Sequence, residues 1–415
     1  MKYQDIKIID ILQDGRGVGK TPEKIAFIEG AIYKEICQIE IIEEKKNFYQ
    51  AKKIKTQTPS PVETKPPCPY YYECGGCLLM DINYQSQIQI KKNLIKNALK
   101  KSCKIEIDQL ELIKSKPYGY RNKIRLQITK DGKLAYNKKY SNELVPIRNC
   151  LLAKQKISEN FLQIEEITKN ICSKYPGSLK EITIRTNDKE ILLNISIKDE
   201  KPINFIKETY KNSNYQINIS YKNKLENITG KNYLTYQIMN KKFKISLNDF
   251  YQVNDYNIEN LYKIAKEFIG KNKKVLDLYC GSATSSIAIN DDNLIGVEIN
   301  KNAIKDAKEN AKINNLKNYK FLAKDAKSIN DSFIKKEKID TILVDPPRAG
   351  LDKQLIKTIG KTKTQKIVYI SCNPQSLARD IKRLMEYGFK LKKIKSVDMF
   401  PQTMHVETVV LMSRK

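Results

Sequence analysis

The stretch that decides the fold is Val275-Leu276-Asp277-Leu278-Tyr279-Cys280-Gly281-Ser282-Ala283-Thr284. Its apolar first half predicts a buried strand, and the small residues after it predict a tight turn that leads into a helix. Such a unit opens a parallel sheet and lets the backbone come close to a nucleotide. A single glycine makes this a weak dinucleotide motif, so the neighbouring strand ends must be considered with it.

From about residue 246 onward the pattern alternates between strands and helices, which predicts a parallel sheet. The clearest helix is Lys301 to Asn314, with alanines and Ile304 along one side. We therefore predict an α/β fold with a Rossmann-like domain at 246–415. Its predicted strands are Val275–Tyr279, Leu294–Ile299, Tyr319–Leu322, Thr341–Val344, Lys366–Ile370, Leu391–Val397 and Val406–Met412.

Acidic residues follow three of these strands. Glu298 ends the second strand and is placed to bind ribose hydroxyls, Asp325 follows the third strand, and Asp345-Pro346-Pro347-Arg348 follows the fourth. We interpret them as a nucleoside site, with the two prolines as a rigid ledge. The alternatives are solvated acids at loop tips and prolines that only form a turn.

Cys372 follows the fifth strand, in Ile370-Ser371-Cys372-Asn373-Pro374. Groups just past the carboxyl ends of parallel strands face the ligand crevice, so this thiol is a candidate nucleophile. The alternative is a small buried side chain that closes the strand, because free cysteine is among the most buried residue types.

Residues 1–55 are predicted to form short strands around the turn-rich segment Asp14 to Lys20, which is typical of a small barrel. The glycine-rich basic loop resembles that of the TRAM domain, an RNA-binding module similar to the oligonucleotide-binding fold. It could also be an ordinary tight hairpin loop. Residues 56–67 carry four prolines and are predicted to be a linker.

Four cysteines come after the linker: Cys68, Cys74, Cys77 and the distant Cys150. The Cys-x5-Cys-Gly-Gly-Cys loop can wrap its thiolates around a metal centre, and Cys150 completes a set of four. The spacing fits no common zinc finger, so we predict an iron–sulfur cluster. Zinc and a Cys74–Cys77 redox pair are the alternatives.

Residues 68–245 are predicted to be an α+β domain, with a helix from Asp81 to Lys101 and alternating strands beyond it. Arg121, Lys123 and Arg125 stand beside tyrosines, a composition suited to phosphate contact and base stacking in RNA. An exposed strand edge with solvated charges would look the same.

The 415 residues carry a formal charge of +29, which suits a nucleic-acid partner, although codon bias can also enrich lysine. The sequence shows neither a signal peptide nor an apolar run long enough to span a membrane. We therefore expect a cytoplasmic protein in which cysteines are thiols or metal ligands.

Together, Asp277-Leu278-Tyr279-Cys280-Gly281, Asp345-Pro346-Pro347-Arg348, Ser371-Cys372-Asn373-Pro374 and His405-Val406-Glu407-Thr408 resemble the RNA uracil-5-methyltransferase family. The likeness includes the TRAM-like start, the four cysteines and Asp249-Phe250-Tyr251-Gln252. The chain departs from many members at Ala283 and Thr284, where they have glycine or asparagine.

The resemblance implies a class I methyltransferase that uses S-adenosylmethionine and carries a [4Fe-4S] cluster. Cys372 would add to carbon 6 of uracil, and Glu407 would remove the proton from carbon 5. His405 is a weaker candidate for the base, and we favour a structural or supporting role for it. Asp345 could serve the uracil as well as the cofactor. The cofactor residues implied are Gln252, Tyr279, Gly281, Thr284, Glu298, Asp325 and Asp345.

The substrate implied is a flipped uridine in structured RNA, with 23S rRNA favoured, tRNA as the alternative and a monomeric enzyme expected. Cytosine 5-methylation is disfavoured, because the corresponding RNA enzymes resemble a pattern with cysteine where this chain has Arg348. The alternative from another class is a non-catalytic RNA-binding or ribosome-assembly protein.

Overall fold

The computed structural model describes residues 2–222, 224–271, 273–289 and 293–414. Its strands form a closed five-stranded barrel, a seven-stranded sheet, a two-stranded hairpin and an eight-stranded sheet. Within the described residues, no helix is both long and apolar enough to cross a membrane.

The barrel has the strand order β1-β2-β3-β5-β4 and buries alternate residues of each strand. Strand β2 lies inside the segment predicted to be a turn. Its Gly19 faces the barrel interior, where a Cβ would come within 2.5 Å of Ile6, so glycine is needed there for packing. Strand β5 pairs with β4 as far as Thr58, so it also occupies the start of the predicted linker. The strands are β1 Lys2–Ile11, β2 Gly17–Lys20, β3 Ile25–Glu29, β4 Ile36–Glu44 and β5 Phe48–Thr58.

The middle of the chain forms the seven-stranded sheet, in the order β13-β12-β11-β10-β7-β8-β9, followed by the β14–β15 hairpin. Helices α2, α3 and α4 lie between its strands in the chain. The elements are α1 Tyr84–Cys103, β6 Leu112–Ile113, β7 Lys123–Ile128, β8 Leu134–Asn137, β9 Leu144–Pro146, α2 Gln155–Glu159, α3 Phe161–Lys174, β10 Leu179–Thr186, β11 Ile191–Ile197, α4 Ile203–Tyr210, β12 Gln216–Tyr221, β13 Lys224–Thr229, β14 Tyr233–Ile238 and β15 Lys241–Ser246.

The last third of the chain alternates strands and helices, as the sequence predicts. A single 3₁₀ turn, Ala326–Ser328, follows the third of its strands. The elements are α5 Ile258–Ile269, β16 Val275–Leu278, α6 Thr284–Ile289, β17 Leu294–Glu298, α7 Lys301–Ile313, β18 Tyr319–Ala323, α8 Asp331–Lys336, β19 Thr341–Val344, α9 Lys353–Lys361, β20 Lys366–Ser371, α10 Pro374–Met385, β21 Lys390–Val397 and β22 Glu407–Ser413.

The eight-stranded sheet has the order β18-β17-β16-β19-β20-β22-β21-β6. The first five strands are parallel, and β22 runs antiparallel to both β20 and β21. The chain direction across the sheet reverses between β16 and β19, where a doubly wound sheet opens its ligand crevice. The predicted Rossmann-like α/β fold is confirmed.

Segments from before residue 246 complete this sheet, so its body begins earlier in the chain than the predicted boundary. Helix α1 buries Ile95 and Leu99 in the same apolar cluster as Leu377 and Ile381 of α10. Strand β6 pairs with β21 at the sheet edge. The β14–β15 hairpin packs into the cluster on the other face, with α5 and α6.

Candidate active site

The carboxyl ends of β19 and β20 meet the start of β22 at one edge of the sheet. Ser371 pairs with Thr408, so Cys372 and Glu407 lie next to each other across two antiparallel strands. Val344 pairs with Tyr369, which places Asp345 one strand further along the same edge. Three side chains that are far apart in the sequence therefore share one crevice.

The turn after β20 is organised by the start of helix α10. Asn373 caps the helix by accepting a hydrogen bond from the backbone N–H of Gln375 at 3.0 Å, and Pro374 occupies the first turn, where no backbone donor is needed. The Asn373 amide also donates to the carbonyl of Arg348 at 3.0 Å. The turn that presents Cys372 is thereby tied to the loop that presents Asp345.

Burial and mutual repulsion set the protonation of these groups. Burial, with the charges of Glu407 and Asp345 adding to it, raises the pKa of Cys372 to about 12. Burial also raises the pKa of Asp345 to about 7, and that of the fully enclosed Glu407 well above its usual value. One Glu407 oxygen, Oε2, has no hydrogen-bond partner among the described residues. Such perturbed groups in a crevice are typical of a reaction centre.

Arg348 and His405 close one side of this crevice. The Arg348 guanidinium lies 2.7 Å from Nδ1 and 2.8 Å from Nε2 of His405. Burial and nearby cations, Arg348 first among them, lower the pKa of His405 to about 4. The imidazole is therefore neutral at physiological pH.

The loop that precedes Glu407 is held by buried polar contacts from other parts of the chain. Lys91 of α1 donates to Asp398 at 2.6 Å and to the carbonyl of Phe400 at 2.9 Å. Gln87 of the same helix bonds Gln402 at 2.8 Å. Asn254 donates to the Met399 carbonyl at 3.1 Å. Sequence reasoning missed these residues, because a buried lysine on a helix looks like any solvated one.

The turn after β16 is shaped to admit a ligand. Tyr279, Gly281 and Ala283 all have positive φ angles, of 70°, 52° and 59°. A Cβ on Gly281 would meet nothing within 4 Å, so the space above this backbone is open. Glu298 reaches the turn from the next strand, and its Oε2 accepts from the Gly281 N–H at 3.3 Å. The predicted cofactor turn is thus an open backbone cradle next to an acid.

The buried polar atoms without a hydrogen-bond partner among the described residues include Gln252 Oε1, Ser282 Oγ and both carboxylate oxygens of Asp277. Gln252 is held through its backbone, since its carbonyl accepts from the amide of Asn122 at 3.0 Å. Asp277 is buried as well, and burial raises its pKa to about 8, with Asp345 and Glu298 adding to the effect. Unpaired buried polar atoms call for a ligand with complementary groups.

The remaining predicted cofactor residues lie around the same turn. Thr284 begins α6, and its hydroxyl lies 3.4 Å from that of the buried Tyr262. Asp325 is exposed after β18, and one of its oxygens accepts from the Lys327 N–H at 2.9 Å. Thr284 is thus buried, whereas Asp325 faces solvent.

The four predicted metal ligands, although Cys150 is distant in sequence, line one cavity together with Arg121 and Tyr136. Cys68, Cys77 and Cys150 also pack against the small buried cluster formed by Tyr71, Met80, Tyr120 and Leu152. Across the part of the chain that the structure describes, no three Cys, His, Asp or Glu side chains are arranged to hold a metal ion.

Of the three predicted RNA-binding residues, only Arg125 is exposed, and it pairs with Glu181 at 2.6 Å. Lys123 is partly buried, and burial, together with Arg185 and Arg125, lowers its pKa to about 8. Arg121 lies against the cysteine cavity rather than on an open strand edge. Arg121 lies before β7 and bridges to Ala153 and Asn254, whereas β7 itself pairs with β10 along Lys123 to Gln127.

Comparison with known proteins gives a consistent result along the chain. Residues 83–415 match the family model described as tRNA (Uracil-5-)-methyltransferase. An uncharacterized RNA methyltransferase of Caldanaerobacter subterraneus subsp. tengcongensis is 32% identical over 448 residues, covering 99% of this chain and 98% of that protein. One from Aquifex aeolicus is 33% identical, and the match covers both chains completely.

A similar crystal structure is that of Pyrococcus abyssi tRNA (uracil-54, C5)-methyltransferase in complex with S-adenosyl-L-homocysteine. It is 27% identical to this chain and superposes with a TM-score of 0.75, covering 98% of this chain and 100% of the archaeal one. The likeness therefore includes the barrel and the seven-stranded sheet as well as the sheet that carries the crevice.

Proposed function

This chain belongs to the tRNA (uracil-5-)-methyltransferase family, and from that premise we propose that it methylates carbon 5 of one uridine in structured RNA through a covalent bond to Cys372. That it is an S-adenosylmethionine-dependent enzyme acting on RNA follows from the family and its relatives. The observation that carries the proposal is the placement of Cys372, Glu407 and Asp345 at one sheet edge.

Carbon 5 of uracil is a poor nucleophile, so the reaction needs prior addition at carbon 6. The Cys372 thiolate would form a bond to carbon 6, and the resulting enolate would make carbon 5 nucleophilic. S-adenosylmethionine supplies the methyl group when bound. Glu407 would then take the proton from carbon 5, and breaking the bond from sulfur to carbon 6 would release the product and the thiolate. A buried carboxylate with a raised pKa is a stronger base than a solvated one, which suits it to this step.

We propose that the predicted cofactor residues hold S-adenosylmethionine. Glu298 and Asp325 would bind the nucleoside end, and the open backbone at Tyr279 to Gly281 admits a close approach. The unpaired amide oxygen of Gln252 can accept from an ammonium group, and the buried Thr284 begins helix α6 after the turn. Asp345 stands between this cradle and Cys372, so it can serve either the cofactor or the uracil.

A trapping experiment tests the nucleophile. RNA that carries 5-fluorouridine has no proton on carbon 5 to lose, so the enzyme should form a stable covalent adduct with it. Cys372→Ala should form none, while Glu407→Gln should still form the bond with unmodified RNA but release product slowly. If Cys372→Ala still methylates RNA, the mechanism is wrong. Cys172→Ala, a buried cysteine outside the crevice, serves as the control.

We also propose that Cys68, Cys74, Cys77 and Cys150 hold a [4Fe-4S] cluster. Their shared cavity supports this, since a cube binds each thiolate through a different iron and needs them further apart than a single zinc ion does. When bound, the cluster would cross-link the cysteine loop to the segment at Cys150, and the uracil chemistry requires no electron from it. Protein purified without oxygen should be brown, and Cys150→Ala should be colourless. Stoichiometric zinc in a colourless wild-type protein would contradict the proposal.

Two RNA substrates are candidates. The predicted TRAM-like barrel and cysteine cluster favour 23S rRNA, whereas the matching family and the archaeal structure, both described as tRNA methyltransferases, favour tRNA. Exposed Arg125 and partly buried Lys123 remain proposed RNA contacts. Mapping 5-methyluridine in total RNA with and without the gene decides between the two, because only one class of RNA should lose its 5-methyluridine.

We expect a cytoplasmic monomer. Sedimentation of the purified protein with and without RNA would check the oligomeric state.

A further inference from the structure

The outer face of the barrel carries an aromatic pair that the uracil chemistry does not use. Phe27 of β3 and Phe48 of β5 are each only partly buried, and their ring centroids are 4.8 Å apart. Ile25, which pairs with Phe48 across the two parallel strands, is 45% exposed. Apolar rings on an outward face contribute little to the barrel core, so their exposure needs another reason.

A cation borders this pair. The Arg16 guanidinium lies 5.7 Å from the centre of the Phe27 ring, at the end of the loop that joins β1 to β2. Asp14 holds it in place by accepting from Nη2 at 2.7 Å and from Nε at 2.9 Å. A guanidinium fixed beside an aromatic ring forms a flat surface on which a base can stack.

The charge around the rings is suited to a polyanion. Glu43 and Glu44 are both neutralised by lysines, Lys45 and Lys24. Lys20 of β2, Lys46 of the β4–β5 turn and Lys52 of β5 are exposed and have no ion pair among the described residues. The exposed Glu29 of β3 is in register with Lys52, so the lysines outnumber it. Phosphates on either side of a stacked base would meet these cations.

The aromatic face is connected to the active site through the β1–β2 loop. The carbonyl of Asp14 accepts from the Tyr140 hydroxyl at 3.1 Å, and a Cβ on Gly15 would come within 3.2 Å of Leu78. Leu78 in turn donates to the carbonyl of Gln402, in the loop that leads to Glu407. These contacts tie the loop that carries Arg16 to the loop that leads to Glu407.

We propose that Phe27, Phe48 and Arg16 form a stacking platform for an unpaired nucleotide of the substrate RNA, outside the active site. Small barrels of this kind bind oligonucleotides on the face of strands 2 and 3 and on the loop between strands 1 and 2. Phe27 lies on β3 and Arg16 in the β1–β2 loop, and Phe48 of β5 completes the ring pair. The inference rests on the proposed function only in taking the ligand to be RNA. Stacking is tolerant of sequence, so the platform would orient the RNA while the crevice selects the uracil.

The chain contains no tryptophan, so Phe48→Trp places a single fluorophore on the platform. The probe is a single-stranded oligoadenylate of about 12 nucleotides, a length that spans one such barrel and contains no uracil for the active site. Stacking of an adenine on the introduced indole should quench its fluorescence, and the affinity of Phe48→Trp for the labelled probe should equal that of the wild type. Ile42→Trp, on an exposed position of β4, is the matched control and should not be quenched.

Phe48→Leu keeps an apolar side chain but has no ring, so its affinity for the oligoadenylate should be at least about five-fold weaker. Unchanged affinity in Phe48→Leu, or equal quenching at positions 42 and 48, would overturn the platform. So would a change of sedimentation with no change in RNA affinity, because the face would then be a contact between two copies of the chain. Formation of 5-methyluridine is measured separately, so failure of the platform and failure of the proposed reaction are distinguishable.

Discussion

Cys372 lies beside two carboxyl groups, and this position controls the reactivity of its thiol before substrate binds. Burial comes first, and the charges of Glu407 and Asp345 add to it in raising the pKa to about 12. Arg348 is the neighbour that opposes them. A thiol held in its protonated form is protected from oxidation and alkylation. The free enzyme therefore keeps its nucleophile inactive.

Alkylation of Cys372 by iodoacetamide should accordingly be slow near neutral pH. Its rate should rise about tenfold per pH unit between about pH 7 and about pH 9, because only the thiolate reacts. Asp345→Asn removes one negative neighbour, so it should lower the pKa of Cys372 and speed alkylation at a given pH. Mass spectrometry of the Cys372 peptide gives both rates. A rate in Asp345→Asn that equals the wild-type rate would show that the carboxylate does not influence the thiol.

His405 should make the stability of the protein fall in mild acid. Its pKa is lowered from 6.5 to about 4 in the folded chain, so the folded state resists protonation more than the unfolded state does. The contribution of the neutral His405 to the free energy of unfolding is fully present above about pH 6.5 and is lost as the pH falls towards about 4. Because His405 is the sole histidine of the chain, His405→Gln should show a smaller loss of thermal stability over this range. If the melting temperatures of the two proteins fell equally as the pH is lowered, this prediction would be wrong.

At the scale of single elements, helix α10 connects the nucleophile turn to the Asp345 loop. Its fully buried Asp380 accepts from the Leu351 N–H at 2.7 Å and from the Tyr369 hydroxyl at 2.9 Å. Arg379 donates to Asp380 at 2.9 Å and to the carbonyl of Ala349 at 2.7 Å. The loop between β19 and α9 is thus anchored by the helix that begins just after Cys372.

Asp380→Asn should loosen this loop, because an amide group would replace an acceptor that faces several donors. We expect a loss of about 1 to 3 kcal/mol in the free energy of unfolding and slower adduct formation with 5-fluorouridine RNA. Binding of S-adenosylmethionine should change less. Asp352→Asn, at the far end of the same loop, is the control, since asparagine caps helix α9 as well as aspartate does. Equal effects of the two substitutions would argue against a specific anchoring role.

At the scale of the whole molecule, helix α1 joins the first quarter of the chain to its last residues. Lys91 and Asp398 form a fully buried ion pair at 2.6 Å, and Tyr84 donates to the same carboxylate at 2.9 Å. Asn257 donates to the Asp398 carbonyl at 3.0 Å. The loop before Glu407 is therefore positioned by residues from distant parts of the chain.

Lys91→Met should destabilise the protein by about 3 to 5 kcal/mol, because it leaves the Asp398 carboxylate buried without its cation. Lys100→Met on the same helix is the matched control. Its partner Glu106 is 2.8 Å away and both side chains are about two-thirds exposed, so this substitution should change the free energy of unfolding much less than Lys91→Met does. Denaturant unfolding of the two variants measures the difference. A small loss in Lys91→Met would show that Asp398 is stabilised by its other contacts.

Local pattern was sufficient to predict the parallel strands, helix α7 and the residue types at the strand ends. An apolar run that forms a strand, or a helix with one apolar side, is recognised from residues that are close in the sequence. Strand β19 therefore begins and ends where it is predicted to. The positions of the candidate site residues are local in the same sense, since Glu298 ends a strand and Cys372 and Asp345 each follow one. The barrel strand β2 was missed, because glycines that face a crowded interior have the composition of a turn.

The sequence by itself determined the α/β fold, the strand-end residues of the crevice and, through its motifs, the family. Only the tertiary structure decided that α1, β6 and the β14–β15 hairpin belong to the catalytic body, that Lys91 and Asp398 pair, and that Arg121 faces the cysteines rather than solvent. The physical reason is the range of the interactions. Periodicity reports contacts within one element, whereas a buried charge depends on a partner about 300 residues away, which no local pattern reveals.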